Sequence, residues 1–253
     1  MISDKNLLNS QGNDPVQKAK SIQSMFSAIA NRYDFLNRLL SFGIDIYWRK
    51  RCIASMKKNR PFQAPILDLA AGTGDLSLAF ERAVPHVNII ATDFSLEMLR
   101  RLSVKRSIKS RIKIVAADGS FLPFKTSSFE GVMIGFGIRN FTKRENALSE
   151  IYRILKPGGI LAILEFSLPR NKAFRYVYAF YFEKVLPVIG GIFSKRSAYQ
   201  YLPESVKTFP DPAEFAGVIS KCQFSNVSRQ SLTGGIATLY TARRPTGPSE
   251  KSR

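Results

Sequence analysis

Between residues 22 and 40 the apolar side chains Ile22, Met25, Phe26, Ile29, Tyr33, Leu36 and Leu40 recur every three or four positions. That spacing predicts one buried face on an N-terminal helix or helix pair. Beyond residue 60 the pattern changes to short apolar runs separated by amphipathic stretches. Ile66-Leu67-Asp68-Leu69 reads as a first strand, followed by the turn Ala71-Gly72-Thr73-Gly74 and a helix from Asp75. Residues 88–92 read as a second strand ending at Asp93, with Ser95 placed to cap the helix that runs through Val104. Residues 112–116, leading to Asp118, give a third strand, and Val132-Met133-Ile134 a fourth. Thr142-Lys143-Arg144-Glu145 has the spacing of a capping box for the next helix, which Pro157-Gly158 should stop, and residues 160–164 make a fifth strand.

Strands alternating with helices at this interval imply right-handed crossovers and a parallel sheet covered on both faces, a doubly wound α/β fold. After an interruption at residues 168–210, Asp211-Pro212-Ala213-Glu214 caps a helix and residues 224–229 and 236–242 add two strands. The short link Leu232-Thr233-Gly234-Gly235 makes that pair an antiparallel hairpin. The expected sheet is therefore seven-stranded, mostly parallel and Rossmann-like. Residues 1–15 and 244–253 are polar or rich in Pro, Gly and Ser and read as flexible tails. Between them, residues 16–243 read as a single domain with N-terminal helices (16–60) and a helical insertion (168–210).

Charge narrows the partners. Among 253 residues, 38 Lys and Arg oppose 19 Asp and Glu, a net charge of +19, with the excess mainly outside residues 61–165. Such a balance favours polyanions or an anionic membrane surface. The run Arg100, Arg101, Lys105, Arg106, Lys109, Arg111 and Lys113 has no interleaved aromatics on which bases could stack, so it reads as a solvated helix end and loop. The longest stretch without a charged residue, 230–242, is too short for a membrane span, which needs about 20 apolar residues. The start, Met1-Ile2-Ser3-Asp4-Lys5, has no signal-peptide pattern, so the cytoplasm is the expected location. Cys52, Cys222 and the single His86 cannot build a four-ligand zinc site; the thiols read as reduced core residues, and no metal is expected.

The candidate ligand site follows from the fold, since open α/β sheets bind ligands beyond the carboxyl ends of their strands. The first turn has Gly72 and Gly74, but Ser77 stands where a dinucleotide site expects a third glycine, and no P-loop lysine follows. The turn carries carboxylates instead, Asp68 and Asp75, which suit a cationic ligand better than a phosphate. Asp93 can accept both ribose hydroxyls, and Asp118, with Gly119, can accept from an adenine amino group. Ribose, adenine and a cationic end without phosphate describe S-adenosyl-L-methionine, with Asp68, Gly72, Thr73, Gly74, Asp93, Asp118 and Gly119 as its binding residues. The alternative is that Asp68 and Asp93 merely cap turns.

With these residues in place, the sequence resembles the S-adenosylmethionine-dependent C-methyltransferases of menaquinone and ubiquinone biosynthesis, over approximately residues 20–243. The resemblance is carried by Tyr33-Asp34-Phe35-Leu36-Asn37 with Leu40-Ser41-Phe42-Gly43-Ile44 and Trp48, by Phe136-Gly137-Ile138-Arg139-Asn140, by residues 153–167 (RILKPGGILAILEFS), and by Tyr201-Leu202-Pro203-Glu204-Ser205. Asp45 departs from it, standing where many members carry a histidine, so no role of that histidine carries over. The resemblance implies a class I methyltransferase fold and ring C-methylation of a polyprenyl quinol. Here that means 2-demethylmenaquinol becoming menaquinol, with a benzoquinol of ubiquinone synthesis, or both, as the alternative.

It also implies roles. Arg139, with Asn140, is expected to bind the quinol oxygens and stabilise a developing phenolate, or to lower the pKa of a bound hydroxyl or water, before acting as a base, because a guanidinium stays protonated; the structural alternative for Arg139 is an ion pair with an acid such as Glu165. Tyr33 is the further catalytic candidate, and equally a core aromatic on the helical stripe. The aromatic residues Phe174, Tyr176, Val177, Tyr178, Phe180, Tyr181, Phe182, Val185 and Leu186 read as core, as a homodimer interface, or as a cover leading a prenyl tail in from the membrane. Peripheral contact with the inner, anionic membrane face fits the net charge. Two readings from other classes compete. A nucleic-acid methyltransferase lacks support because neither an Asn/Asp-Pro-Pro-Tyr/Phe stretch nor a Pro-Cys nucleophile follows the fourth strand, so no nucleic-acid partner is expected. A noncatalytic cofactor-binding protein would keep the same binding residues.

Overall fold

The computed structural model describes residues 15–31, 33–57, 61–181, 184 and 196–247. Three helices, α1 (Pro15–Ile29), α2 (Tyr33–Leu40) and α3 (Ile44–Lys57), precede the sheet. β1 (Ile66–Leu69), α4 (Asp75–Ala83), β2 (Ile89–Asp93), α5 (Leu96–Lys105) and β3 (Ile112–Ala116) form the first half. The second half comprises β4 (Phe129–Gly135), a 3-10 turn (Ile138–Asn140), α6 (Arg144–Ile154), β5 (Leu155–Phe166), α7 (Lys172–Phe180), α8 (Arg196–Lys207), α9 (Pro212–Lys221), β6 (Ser225–Leu232), a second 3-10 turn (Thr233–Gly235) and β7 (Ala237–Arg243).

The seven strands form one sheet in the order β3-β2-β1-β4-β5-β7-β6. The first five are mutually parallel where they pair, while β7 runs antiparallel to both β5 and β6, as the hairpin reading anticipates. Successive residues point to opposite faces and both faces are covered. Ile66 and Met133 join Trp48, Cys52, Leu76, Phe80 and Leu102 on one side. Leu67, Leu69, Val132 and Ile134 join Leu148, Ile151, Phe215 and Ile219 on the other. Because β2 and β3 lie on one side of β1 and β4 lies on the other, the crossovers diverge between β1 and β4, and a crevice opens there.

Several local expectations change. The N-terminal stripe is divided by the break between α1 and α2: Ile22, Met25 and Ile29 are buried, Phe26 and Tyr33 half-buried. The side chains of Leu36 and Leu40 lie outside those described. Ser95 caps α5 by accepting from the Met98 N–H, and Asp211 caps α9 by accepting from Ala213 and Glu214. The capping box at Thr142 does not form. Helix α6 begins a residue later, with Lys143 in the cap position and no side-chain cap bond, so Glu145 falls one position short of the reciprocal bond. Nor does Pro157-Gly158 stop that helix; α6 ends at Ile154, and the Pro-Gly pair sits inside β5, where residues 156–159 bulge between the pairs Phe129↔Leu155 and Gly131↔Ile160.

The tail residues 1–14 and 248–253 lie outside the described residues, as do Phe182, Val185 and Leu186. Arg244, placed in the C-terminal tail by composition, instead continues the sheet: its N–H and C=O exchange bonds with Gly159 and Gly158, and its guanidinium donates to Ser127, Arg153 and Leu155. In the insertion, α7 buries Tyr178 against Met25, Ile29 and Val206, whereas Tyr176, Val177 and Phe180 on its outer face are more than half exposed.

Candidate active site

A cavity of about 310 Å³ fills the crevice between β1 and β4, within the range of small-molecule sites. Tyr33, Asp68, Gly72, Thr73, Asp93, Asp118, Gly119, Arg139 and Asn140 all line it; Gly74 does not. Gly74 serves packing instead. It holds φ +81° at the start of α4, a conformation that L side chains rarely adopt, and a Cβ there would collide with the Leu102 side chain of α5. Gly72, at φ +56°, has open space where a Cβ would be, and it donates its N–H to Asp93 Oδ2 at 2.9 Å.

Asp93 ties two turns together, since its Oδ1 also accepts from the Ser95 N–H at 2.8 Å. Burial raises its pKa against the opposing backbone bonds from Ser95, Gly72 and Phe94. Asp118, at the exposed rim, accepts from the Ser120 N–H, and the Gly119 backbone presses so closely on Phe141 that a Cβ would lie 2.5 Å from its ring. Thr73 is buried and directs its hydroxyl to Asp34 of α2.

Asp68 is the least satisfied group. Its Oδ2 accepts the Ser77 hydroxyl at 2.5 Å, while Oδ1 is buried with no hydrogen-bond partner among the described residues. Burial lifts this carboxyl to about 7, Asp93 reinforces the shift, and Ser77 and Arg49 oppose it. An unmade bond of this kind costs about 1–3 kcal/mol. Asp68 Oδ1 is left as an open acceptor in the cavity wall.

Asp75, read from the sequence as a second free carboxylate, is already engaged. Lys105 Nζ stands 2.6 Å away, with Arg49 and Arg38 at 3.5 and 3.6 Å. Burial pushes its pKa up, and these three cations more than reverse that, holding it below the usual carboxylate range. Lys105 is therefore not a plain member of a solvated basic run: it bridges Asp75 to Asp34 at 2.8 Å and so links α5 to α2. Asp45 is buried, accepts the Ser41 hydroxyl at 2.9 Å and pairs with Arg38 and Arg49. The sequence reading passed over Arg49, although the Asp45–Arg49 spacing of four on a helix signals such a pair.

At the opposite end, the structural alternative for Arg139 is realised. Its Nη1 lies 3.0 Å from Glu165 Oε1, and both side chains are almost wholly buried. Glu165 also accepts the backbone N–H of Arg139 and of Phe166. Phe136, in a left-handed conformation at the end of β4, turns its carbonyl to accept Nη1 as well. Nε donates to Ser205, but Nη2 makes no hydrogen bond among the described residues. Asn140 accepts the Tyr201 hydroxyl of α8 at its Oδ1, which leaves the amide N–H₂ as a donor. Tyr33 belongs both to the apolar stripe, edge-on to Phe26, and to the cavity wall. Burial raises its phenol pKa despite Arg139, Asn37 and Arg49, so the hydroxyl stays protonated near neutrality. Trp48, Phe136 and Phe166 pack against one another in tilted and edge-on contacts as an aromatic wall, with Trp48 Nε1 donating to the Thr233 hydroxyl.

The chain matches the ubiE/COQ5 methyltransferase family over residues 14–244. It is 47% identical to the ubiquinone/menaquinone biosynthesis C-methyltransferase UbiE of Geotalea daltonii, covering 90% of this chain and 98% of that one. It is 44% identical to the demethylmenaquinone methyltransferase of Thermus thermophilus, covering 87% and 100%. A solved SAM-dependent methyltransferase from Thermotoga maritima shares the fold, with TM-score 0.58 and 18% identity over 87% of this chain and 98% of that one.

Proposed function

The chain belongs to the ubiE/COQ5 methyltransferase family, and from that premise we propose that it methylates a ring carbon of a reduced polyprenyl quinone. The methyl donor is S-adenosylmethionine, and the preferred reaction converts 2-demethylmenaquinol to menaquinol. The paired name of the Geotalea relative supports a second reading, in which a polyprenyl benzoquinol is accepted as well. The observation that carries the proposal is one cavity with two chemically distinct ends: carboxylates and the glycine turn by β1 and β2, and the Arg139 and Asn140 donors past β4 with Tyr33 of α2 close enough to feel the Arg139 charge.

When bound, S-adenosylmethionine supplies an electrophilic methyl group. The chain's own residues must then orient the quinol and make its ring carbon nucleophilic, which requires one hydroxyl to release its proton to solvent. After methyl transfer the ring carbon gives up its hydrogen as a proton and the oxygen regains one, so each turnover releases one proton with S-adenosylhomocysteine. Arg139 Nη2 is the guanidinium nitrogen left to face that oxygen, because Nη1 is committed to Glu165 and Phe136. A buried cation lowers the hydroxyl pKa and stabilises the phenolate as it forms. The Asn140 amide and the protonated Tyr33 hydroxyl add neutral donors. Holding the ring and the methyl donor in line supplies further acceleration, on the order of several kcal/mol. The aromatic wall, with Tyr178, Tyr201 and Leu202 from α7 and α8, gives the reacting end an apolar lining.

The quinol's prenyl tail needs an apolar exit. Phe42, exposed at the α2–α3 corner and 5.9 Å from Tyr181, lines the cavity, and Phe35 and Leu39 of α2 and Ile46 and Tyr47 of α3 are exposed as well. Together with the outer face of α7 and the +19 charge, this supports peripheral contact with an anionic bilayer; the same patch is where a homodimer would form. Among the described residues no helix is long and apolar enough to cross a membrane. The proposal is tested by incubating the chain with labelled S-adenosylmethionine and reduced demethylnaphthoquinone, oxidised demethylnaphthoquinone, a reduced benzoquinone precursor, or RNA. Transfer to the reduced naphthoquinone is expected. Transfer to benzoquinol alone would overturn the substrate choice, and transfer to RNA the reaction class.

A further inference from the structure

Among the described residues lining the cavity, only Arg49 and Arg139 are cationic. They occupy different ends. Arg139 lies past β4, locked to Glu165, whereas Arg49 projects from α3 beside Asp75, the first residue of α4 after the glycine turn. The amino acid end of S-adenosylmethionine is a zwitterion, so its subsite must offer an acceptor to the ammonium and a donor to the carboxylate. Asp68 Oδ1 meets the first need.

We propose that Arg49 meets the second by binding the cofactor's α-carboxylate, and that Asp45, one helical turn earlier, is the positioning residue that aims it. This rests on the S-adenosylmethionine reading above. Asp45 takes Nη1 of Arg49 and is itself fixed by the Ser41 hydroxyl and by Arg38. Nη2 lies 3.5 Å from Asp75, too far for a strong charge-assisted bond, and Nε makes no hydrogen bond among the described residues, so donor capacity remains on the guanidinium. Lys105 and Arg38, the other two cations near Asp75, lie outside the cavity lining, Lys105 held by Asp34 and Asp75 and Arg38 by Asp45.

Charge balance agrees with the assignment. Asp34, Asp45 and Asp75 are matched by Arg38, Arg49 and Lys105, so the cluster is neutral, and a zwitterion enters it without adding net charge. Arg49 also acts on groups along the cavity wall: its charge draws down the pKa of Asp68, Asp75 and Tyr33. A full carboxylate at Asp45, itself held by Ser41 and Arg38, pins the Arg49 guanidinium more firmly than a neutral acceptor would.

Isothermal calorimetry with S-adenosylmethionine and its decarboxylated form, which lacks only the α-carboxylate, tests the assignment. The unsubstituted chain should bind S-adenosylmethionine at least about tenfold more tightly than the decarboxylated form, the scale of one charge-assisted hydrogen bond. Arg49→Gln should bring that ratio close to one by weakening only the carboxylated ligand, and its undiminished binding of the decarboxylated form doubles as the folding control. Asp45→Asn should reduce the ratio partly, and should add nothing in the Arg49→Gln background. Equal weakening of both ligands by Arg49→Gln, or an unchanged ratio, would overturn the proposal. If the unsubstituted chain bound neither ligand, the cofactor reading itself would fall.

Discussion

The buried pair Arg139–Glu165 separates two roles that the site combines, and three variants distinguish them. Glu165 is fully buried and accepts Nη1 of Arg139 at 3.0 Å, the Arg139 N–H at 3.1 Å and the Phe166 N–H at 2.9 Å. Glu165→Gln keeps an acceptor but strands a buried guanidinium, and breaking such a pair from one side costs about 3–5 kcal/mol. For a chain of this size each kcal/mol moves Tm by about 2–4 °C, so a loss on the order of 10 °C is expected. Arg139→Met strands the carboxylate and should cost a similar amount. Replacing both partners leaves no uncompensated charge, and such exchanges are often neutral. Arg139→Met/Glu165→Gln should therefore recover most of the lost Tm while remaining about 10²–10³-fold slower in turnover, the loss typical of one donor at a developing oxyanion. Thermal denaturation, calorimetric affinity for S-adenosylmethionine and initial rates on reduced quinone give the three readouts, and the affinity should stay within about threefold. A stable double variant with undiminished turnover would refute the catalytic role and leave Arg139 as a structural ion pair.

Asp93→Asn should weaken S-adenosylmethionine binding at least about tenfold while lowering stability by about 1 kcal/mol, because one of the Gly72 and Ser95 N–H groups keeps its acceptor; unchanged affinity in calorimetry would remove the ribose assignment. Binding should release a proton near pH 6.5. The Asp68 carboxyl, lifted by burial to about 7, holds much of its proton in the free chain and gives it up beside a cation. Calorimetry in buffers of different ionisation enthalpy measures that proton, and Asp68→Asn should abolish it. The same raised pKa makes the folded state bind more protons than the unfolded state between about pH 4 and 7. This group's contribution to stability is therefore present at the acidic end of that window and is lost as pH rises through it. Tyr176→Glu with Val177→Glu, on the exposed face of α7, should reduce cosedimentation with phosphatidylglycerol vesicles without altering turnover on a short-chain quinol in detergent; undiminished cosedimentation would move the membrane contact elsewhere.

The alternation of strands and helices and most of the cavity lining were legible because both rest on local signals. A strand ending in an acid, then a glycine turn, then an amphipathic run leaves little choice of topology once crossovers are right-handed. Asp68, Asp93, Asp118 and Arg139 reach one crevice for that reason. Charge pairing was not legible in the same way. Asp75 looks like a free carboxylate and Lys105 like a surface cation until α2, α3 and α5 are brought together, because their contacts span dozens of residues. Gly74 shows a similar limit: its spacing matches a ligand turn, yet the contact that requires glycine there is with Leu102. The Thr142 capping box failed through a one-residue difference in where α6 starts, which local sequence does not determine.

The central claim, ring C-methylation of a reduced quinone at this cavity, is tested most directly by nuclear magnetic resonance of the product formed from S-adenosylmethionine carrying a ¹³C methyl group. With demethylnaphthoquinone and a reductant, the label should appear as a methyl bonded to the ring carbon, and it should be absent when the reductant is omitted, since an oxidised ring carbon is electrophilic. Label on a quinol oxygen, or equal ring labelling without reductant, would contradict the proposed chemistry.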